Sequence, residues 1–523
     1  MGGRAASKML DGTSANRAER GDPMTRHVSV AMTIKVEQEL LDLLIRPDGQ
    51  EDLCLATYRP STGSTRMTAL ISSVIPPTSD DRRVHGNATV MGRYVSRGAE
   101  IARKKNCGLV LLHSHPGGSQ WQPMSALDQE AEASYANLVR EITGLPLVGM
   151  TLATEDTTWS ARHWDTGTGR EIDCTHADNV RVIGDRLAVS WNNALIPPPQ
   201  TTHSQLRTIS AWGERCQADL ARRRVLVVGA GSVGLDLAVR LAASGLCRIT
   251  VMDFDIVEIH NLDRLIGATP RDARLIRPKI HVALRQATTA ATADNPNIEV
   301  SALSICEPEG LQLALDHDLI FSCVDRPWPR SVLNSLAYTD LIPVIDGGIA
   351  IDPLESGGMR NATWRSHVIR PGRPCMRCNR QLDLAKVIPD MKGLLDDPSY
   401  IANAEASALP STQNVATLSV NVLAGLLTQY VSFSVAPAGF GDPGPLQYCL
   451  STHTLDHLQD KIGTYCPVEP QEAVGDLRLD LTGRHLRAEQ QRQKAKSVEV
   501  PIRLLRWLDN RVQKLHSWLD HTN

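Results

Sequence analysis

Hydrophobic and polar positions in the first third of the chain follow the periods of alternating helices and strands. Apolar residues at helical spacing predict a helix over Lys35–Ile45. Strand-like runs follow in DLCLATY and MTALISSVI, and a helix near Ser96–Lys105 leads into the run GLVLLHSHP. A helix through LDQEAEASYANLVREI and two short strands, LVGMTLAT and TWSARHW, complete the pattern. The sequence therefore predicts a compact α/β domain over residues 27–165.

The pattern changes twice after residue 165. Residues 166–205 are polar and contain the helix- and strand-breaking run LIPPPQTTHS, which predicts a linker. From residue 206, strand and helix patterns alternate to about residue 350, which favours a parallel sheet in a domain over residues 206–470. A long apolar helix is predicted near residues 413–431. We expect residues 1–26 to be a disordered leader and residues 471–523 a polar helical tail.

Composition narrows the class of protein. The 523 residues are 42% hydrophobic and 22% charged, which is typical of a soluble globular protein with more than one domain. A net charge of −3 gives no basic field for nucleic acid or an anionic membrane. We find neither a secretory signal nor an apolar run long enough to cross a bilayer. The 11 cysteines are scattered, so we expect reduced thiols and a cytoplasmic location.

The stretch HSHPGGSQWQPMSALD, which begins at His113, is the first candidate site. His113 and His115 lie on the same side of an extended segment, because side chains alternate along a strand. Asp128 opens the next helix and can fold back toward them. Two imidazoles and one carboxylate leave a fourth zinc position open for water, as in catalytic zinc sites. The alternative is an ordinary strand end followed by a helix capping box.

This stretch resembles the JAMM motif of the JAB/MPN zinc metalloproteases, which include deubiquitinases. The resemblance implies zinc ligands at His113, His115 and Asp128, an oxyanion-stabilising hydroxyl at Ser125, and a general base at Glu51. The sequence departs from the family in one respect. Nine residues separate His115 from Ser125, where the commonest form has about seven, and a longer loop absorbs the difference at little energetic expense.

A glycine-rich turn, GAGSVG, is the second candidate site. Its glycines, Gly229, Gly231 and Gly234, follow a buried strand and open a helix, where backbone N–H groups face phosphate. The acidic residue expected about twenty positions later is Asp253. These features alone fit an NAD-dependent dehydrogenase equally well.

Polar residues beyond Asp253 favour a different chemistry. Asn261, Arg264, Lys279 and Asp325 supply the cations and the carboxylate that an enzyme cleaving ATP between its α- and β-phosphates requires. The region from residue 206 to about 470 is similar to the ThiF/MoeB adenylation domains of ubiquitin-activating enzymes. The resemblance implies Asp253 at the ribose, the three residues Asn261, Arg264 and Lys279 at the phosphates, Asp325 near Mg²⁺, and Arg207 reaching the ATP of a dimer partner.

A second zinc position is suggested by the run PCMRC. Cys375 and Cys378 have the spacing of a zinc knuckle, and the resemblance implies a second cysteine pair after the long helix. Cys466 matches the first cysteine of that pair, but Glu469 occupies the other position. Cys449 or His453 could complete the site, or the cysteines could be ordinary half-buried thiols.

Together these features predict a bifunctional α/β enzyme: a JAB/MPN-like zinc isopeptidase domain joined to a Rossmann-like, doubly wound adenylation domain. The resemblances imply a ubiquitin-like β-grasp protein as substrate, a conjugating enzyme as a further partner, and a homodimer formed through the adenylation domain. They place it in a bacterial ubiquitin-like or sulfur-transfer system, such as one used in phage defence. Three alternatives remain open: adenylation of a small-molecule carboxylate, an NAD-dependent oxidoreductase with a metal-binding accessory domain, and a scaffold with two vestigial sites.

The stretch between the zinc knuckle and the long helix lacks a nucleophile that relatives carry. Ubiquitin-activating relatives that form a thioester have a cysteine there, but Asn379 to Gln413 contains none. Only the hydroxyls of Ser407, Ser411 and Thr412 are available in NAEASALPSTQ. The sequence therefore predicts that the reaction ends at the adenylate or passes directly to an external acceptor.

Overall fold

The computed structural model describes residues 27–166, 172–354, 356–397, 414–458 and 461–497. The predicted leader over residues 1–26 and the last part of the predicted tail lie outside these ranges. The strands of the described residues are β1 His27–Thr33, β2 Leu53–Thr62, β3 Arg66–Ile75, β4 Arg82–His85, β5 Asn87–Val90, β6 Gly108–His115, β7 Leu147–Ala153, β8 Thr158–Thr166, β9 Ile172–His176, β10 Asn179–Ile183, β11 Leu187–Trp191, β12 Arg224–Val228, β13 Arg248–Met252, β14 Asn297–Ser301, β15 Leu319–Ser322, β16 Val344–Pro353, β17 Met359–Ile369, β18 Leu446–Cys449 and β19 Thr454–His457.

The helices lie between these strands and after them. Those of the described residues are α1 Ile34–Leu44, α2 Gly92–Lys104, α3 Ala126–Thr143, α4 Leu206–Trp212, α5 Glu214–Arg222, α6 Ser232–Ala243, α7 Pro270–Arg274, α8 Lys279–Ala290, α9 Pro308–Ala314, α10 Pro327–Thr339, α11 Val387–Met391, α12 Ala416–Val435 and α13, residues 486–497. Short 3₁₀ turns connect several of them.

The first domain is a layered α/β structure. Its sheet has the order β11-β10-β1-β3-β2-β6-β7-β8-β9 among the described residues. Alternate residues of β2 explain the layers: Cys54 and Ala56 pack in a core with α1, whereas Leu53 and Leu55 pack in a second core with α2 and α3. The α/β expectation is therefore confirmed for this region.

The predicted linker over residues 166–205 is wrong for its described central part. Strands β9, β10 and β11 all belong to the first sheet, and β10 pairs in parallel with β1. Every residue of β10 is buried although the segment reads Asn-Val-Arg-Val-Ile. Arg181 interrupts the apolar run, so the sequence does not indicate a buried strand. The carboxylate that pairs with Arg181 in the structure is Asp318, far away in the sequence. Strand β1, which begins the first sheet in the sequence, was also not predicted.

The second domain is doubly wound, as expected. Its sheet has the order β14-β13-β12-β15-β16-β17-β18-β19 in the described part of the chain, and β12 to β16 are parallel. Val225 and Val227 face a core with α6 and α8, and Leu226 and Val228 face a core with α9 and α10. Helices therefore cover both faces, and ligands are expected at the carboxyl ends of the central strands, where the strand order reverses.

The two domains share a buried interface. Arg66 of β3 and Arg181 of β10 both place Nη1 near the Asp318 carboxylate, at 2.5 and 3.3 Å. The other oxygen of Asp318 accepts a hydrogen bond from the backbone N–H of Arg224 at 3.0 Å. Leu70 of the first sheet lies in the same apolar cluster as helices of the second. One carboxylate thus connects two sheets.

Helix α12 is long and apolar enough to span a bilayer, by length and composition alone. The expectation that no run is long enough was therefore wrong. The helix packs against β16, β17 and α6, and Val422, Leu426 and Phe433 are buried there. The apolar face of α12 is therefore part of the core of the second domain.

Candidate metal centre and nucleotide site

Strand β6 and helix α3 bring the predicted zinc ligands together. His113 and His115 are the antepenultimate and last residues of β6, so their side chains point to the same face. Asp128 lies in the first turn of α3, whose N-cap is Ser125 in a complete capping box. The local sequence therefore fixes the positions of all three groups.

The spacing of the three ligand atoms suits zinc. Nε2 of His113 lies 3.1 Å from Nε2 of His115, and the Asp128 oxygens lie 3.9 and 3.7 Å from these two atoms. Nitrogen and oxygen ligands about 2.0–2.1 Å from a tetrahedral zinc are separated by roughly 3.3 Å. Burial and the nearby Arg162 lower the pKa of His113 to about 3, so its imidazole is neutral, as a ligand must be.

Residues outside the motif surround these ligands, and one of them contacts the second ring nitrogen of His115. Nδ1 of His115 lies 3.2 Å from Oε1 of Gln122, which the longer loop supplies. Below His113, Thr151 accepts a hydrogen bond from Arg162 at 2.8 Å, and Arg162 is paired with the buried Glu132. Sequence reasoning missed this support. The extra length of the loop was the feature of the sequence that could have indicated the contact made by Gln122.

Glu51 and Ser125 lie beside the ligands. Glu51 precedes β2, and burial raises the pKa of its carboxyl group, while the charges of Asp128 and His115 also act on it. The Ser125 hydroxyl donates to Asp128 at 2.8 Å and accepts from the Asp128 N–H at 3.1 Å. The structure brings both residues to the metal centre; their catalytic roles remain predictions.

The glycine-rich turn joins β12 to α6 as predicted. Gly229 has a φ of +98°, and a Cβ there would lie 2.6 Å from the carbonyl oxygen of Cys323. A Cβ on Gly234 would lie 1.8 Å from the Gly229 carbonyl oxygen. Gly231 is the N-cap of α6 and has open space around it. The turn therefore leaves the helix N-terminus accessible to a phosphate.

The carboxyl end of β13 carries two acids next to this turn. Asp253 accepts hydrogen bonds from the backbone N–H groups of Ala230 and Asp255, at 2.6 and 2.7 Å. Burial and the Asp255 charge raise the pKa of Asp253. Burial would also raise the pKa of Asp255, but the Lys279 ammonium group, 3.0 Å away, lowers it. Asp255, which the structure places between Asp253 and Lys279, is not among the residues singled out from the sequence.

The other residues predicted to bind the nucleotide lie in different environments. Asn261 is buried, and its Oδ1 accepts a hydrogen bond from the Glu258 N–H at 3.0 Å. Arg264 donates to the carbonyl of His260 at 2.6 Å. Asp325 follows β15, at the same sheet edge as Asp253. Arg207 lies exposed on α4, and its action in a dimer partner remains a prediction.

Three cysteines meet near the surface of the second domain. Sγ of Cys375 lies 3.6 Å from Sγ of Cys378 and 3.6 Å from Sγ of Cys466. Thiolates about 2.3 Å from a tetrahedral zinc are roughly 3.8 Å apart, so the spacing suits zinc, and these three thiols supply three of the four ligands of a structural zinc site. Among the described residues, Cys449, His453 and Glu469 do not join this cluster. Cys449 instead contacts Asn361 and Ser451.

Comparisons with known proteins cover the second domain. A model of the ThiF family matches residues 202–459. The molybdopterin-synthase adenylyltransferase of Escherichia coli K12 is 31% identical over 168 residues, which are 32% of this chain and 62% of that enzyme. The adenylyltransferase and sulfurtransferase MOCS3 of Arabidopsis thaliana is 24% identical over 245 residues, 46% of this chain and 49% of that protein. The chain thus spans less than two thirds of these relatives.

Solved structures give a weaker likeness. The crystal structure of E. coli MccB with ATP aligns with 52% of this chain and 76% of its own, at 18% identity and a TM-score of 0.38. The family and sequence matches support a ThiF-type adenylation domain in the second half of the chain.

Proposed function

We propose that the second domain uses ATP to adenylate a carboxylate. The observation that carries this proposal is the meeting of the Gly229–Gly234 turn, Asp253 and Lys279 at one edge of the doubly wound sheet. The turn offers N–H groups to phosphate, and Lys279 offers a positive charge. Asp325 at the same edge suits Mg²⁺, which prefers carboxylate oxygens and substrate phosphates.

The proposed substrate is the C-terminal glycine of a ubiquitin-like β-grasp protein. Its carboxylate oxygen would attack the α-phosphorus of ATP, forming an acyl adenylate as the bond to pyrophosphate breaks. The named activities of the E. coli and Arabidopsis relatives support an adenylating reaction. A homodimer, with Arg207 acting across it, and a conjugating enzyme as later acceptor belong to the same proposal. A small-molecule carboxylate remains the alternative substrate.

ATP–pyrophosphate exchange tests the reaction. The full chain should incorporate labelled pyrophosphate into ATP only when the correct carboxylate tail is present. Asp325→Ala should abolish exchange, because the phosphate charge would lose its magnesium partner. Tight binding of NAD without binding of ATP would instead favour the oxidoreductase alternative and overturn the proposal.

A zinc-dependent isopeptidase is the second proposed function, and it belongs to the first domain. The distances of 3.1–3.9 Å among the His113, His115 and Asp128 atoms favour it. Zinc, when bound, acidifies its water and polarises a carbonyl group. Glu51 would take a proton as general base, and the Ser125 hydroxyl would exchange its hydrogen bond to Asp128 for one to the developing oxyanion. The bond cut would follow the terminal glycine of the same ubiquitin-like tail.

Metal content distinguishes the two candidate zinc sites. The full chain should carry about two zinc ions, one at each cluster. His113→Ala/His115→Ala should remove one zinc together with cleavage, and Cys375→Ser/Cys378→Ser should remove the other and leave cleavage intact. Unchanged zinc content in the histidine variant would end the isopeptidase proposal.

The acyl adenylate is proposed to leave without a thioester on this chain. The stretch NAEASALPSTQ lies outside the described residues, and it contains no cysteine. Hydrogen bonds from Ser451, Thr452 and Asn361 lower the pKa of Cys449 to about 6. Cys449 is therefore the thiol at which an adduct should be sought. Non-reducing mass spectrometry with ATP and the cognate ubiquitin-like protein should find no adduct. A thiol-sensitive adduct that Cys449→Ala removes would contradict this.

A further inference from the structure

The C-terminal segment crosses the carboxyl edge of the second sheet. The Trp328 indole N–H donates to the carbonyl of Leu481 at 2.8 Å, and the Gly483 N–H donates to the carbonyl of Cys306 at 2.8 Å. Cys306 follows β14, and Trp328 follows β15. The segment that sequence reasoning left as a polar tail therefore begins by attaching to residues that follow two strands of the sheet, β14 and β15.

Side chains fix the segment further along. The His485 ring stacks on Trp328, with centroids 5.1 Å apart, and lies 4.9 Å from the Phe254 ring after β13. Arg492 donates to both oxygens of Glu307, at 2.6 and 2.8 Å, and to the carbonyl of Ala302 at 3.1 Å. Ala488 is fully buried. These contacts on both sides of residue 487 hold that position over the sheet edge.

Arg487 occupies this position among the acids of the nucleotide site. Its Nη2 lies 3.3 Å from the Asp255 carboxylate, and its Nη1 lies 4.0 Å from Asp396. Asp255 also pairs with Lys279, so one carboxylate is shared by two cations. Among the described residues, the hydrogen bonds of Arg487 are long and made by Nη2 alone, and the side chain is 39% exposed. The guanidinium group therefore keeps donors free for a further anion.

We propose that Arg487 binds the triphosphate of ATP from within the same chain, so that the C-terminal segment is part of the nucleotide site. This inference rests on the proposed adenylation. Lys279 and Arg487 converge from α8 and α13 on one carboxylate, Asp255, so two cations lie side by side near the Gly229–Gly234 turn. A planar guanidinium group can donate two hydrogen bonds to phosphate oxygens, which suits this position.

Nucleotide binding to the full chain tests the proposal. Arg487→Ala should weaken binding of MgATP by about tenfold or more, while affinity for adenosine stays unchanged, because adenosine has no phosphate. Arg487→Lys should recover part of the affinity. Arg484→Ala is the matched control: Arg484 lies three residues earlier, is 73% exposed and pairs with Glu489, so MgATP affinity should not change. Thermal unfolding without nucleotide identifies any variant that fails to fold, and Arg487→Lys then carries the test.

Three results would count against the proposal. Equal MgATP affinity in the wild type and Arg487→Ala would overturn this inference alone and leave the adenylation proposal in place. Tighter binding in Arg487→Ala would also overturn it and would identify the segment as an inhibitory cap. A wild-type chain that binds no ATP would overturn the adenylation proposal and this inference together.

Discussion

The candidate metal centre and the candidate nucleotide site are built in opposite ways. All three metal ligands come from one stretch between His113 and Asp128, where a strand end leads into a helix N-terminus. The proposed nucleotide site instead gathers residues from the ends of β12, β13 and β15, from the start of α8 and, in our further inference, from the C-terminal segment. A contiguous site depends on local backbone geometry, whereas a dispersed site depends on how distant elements pack.

This difference predicts which errors sequence reasoning makes at each site. At the candidate metal centre the three predicted ligands lie together, but the surrounding contacts of Gln122 and Arg162 are missed. At the proposed nucleotide site the predicted residues include the glycine turn and Lys279 but neither Asp255 nor Arg487, which lie beside them in the structure. Variants that impair one site alone, or both sites together, test whether the two sites function independently.

Loss of the Glu51 carboxylate should produce the largest effect. Glu51→Gln should reduce cleavage by about 10²–10⁴-fold, because it removes a general base, while zinc content and ATP–pyrophosphate exchange stay at the wild-type level. Cleavage and exchange measured on the same preparation check this. Persistent cleavage would show that Glu51 is not the base, and a parallel loss of exchange would show that the two sites are not independent.

Asp318→Asn should damage both regions together. It leaves the buried guanidinium groups of Arg66 and Arg181 without a counter-charge, which should lower the free energy of unfolding by about 3–5 kcal/mol. Denaturant unfolding followed by two probes, one in each domain, should show both transitions moving. Asp294→Asn, an exposed carboxylate, is the control and should change little. A shift confined to one domain would mean that the interface does not couple them.

Acid should destabilise both regions in the same pH window. Burial lowers the pKa of His163, in the first sheet, and of His317, at the interface, from 6.5 to about 4. In this range the unfolded chain therefore binds protons that the folded chain does not bind. The free energy of unfolding falls as the pH drops from about 6.5 toward 4. Each histidine should contribute on the order of 3 kcal/mol across this window.

His317→Gln separates the two contributions. Glutamine can still reach Thr250, which lies 2.9 Å from His317 Nε2, but it cannot take up a proton. The slope of unfolding free energy against pH between 4 and 6.5 should therefore become shallower, and should flatten further when His163→Gln is added. An unchanged slope would show that these imidazoles are not the groups that titrate.

The smallest effect is expected from the loop beside His115. Gln122→Ala should lower zinc affinity at the metal centre by about ten- to hundredfold, because it removes the group that orients His115. Competition with a chelator measures this in a Cys375→Ser/Cys378→Ser background, where the other cluster is removed. Gln120→Ala, in the same loop, should leave the affinity unchanged. Equal affinities for the two variants would mean that the loop does not support the ligand.

Several features could be predicted because they depend on neighbours in the sequence. Apolar runs gave β12, β13 and β15 two buried faces. The helical spacing of 34–44 placed α1 within one residue of its predicted bounds. The positions of Gly229 and Gly234 follow from a turn that tolerates no Cβ. Strands β9 to β11 could not be predicted, because Arg181 interrupts the apolar pattern and is neutralised only by Asp318.

The sequence by itself determined the two candidate chemistries, since imidazole, carboxylate and glycine are required wherever these motifs fold. It also determined the doubly wound order of the second domain through the alternation of strands and helices. Only the tertiary structure decided which charges meet: Arg181 with Asp318, Gln122 with His115, and Arg487 with Asp255. These partners are separated by between 7 and 232 positions, and a pattern of local spacing carries no information about contacts that packing creates at such distances.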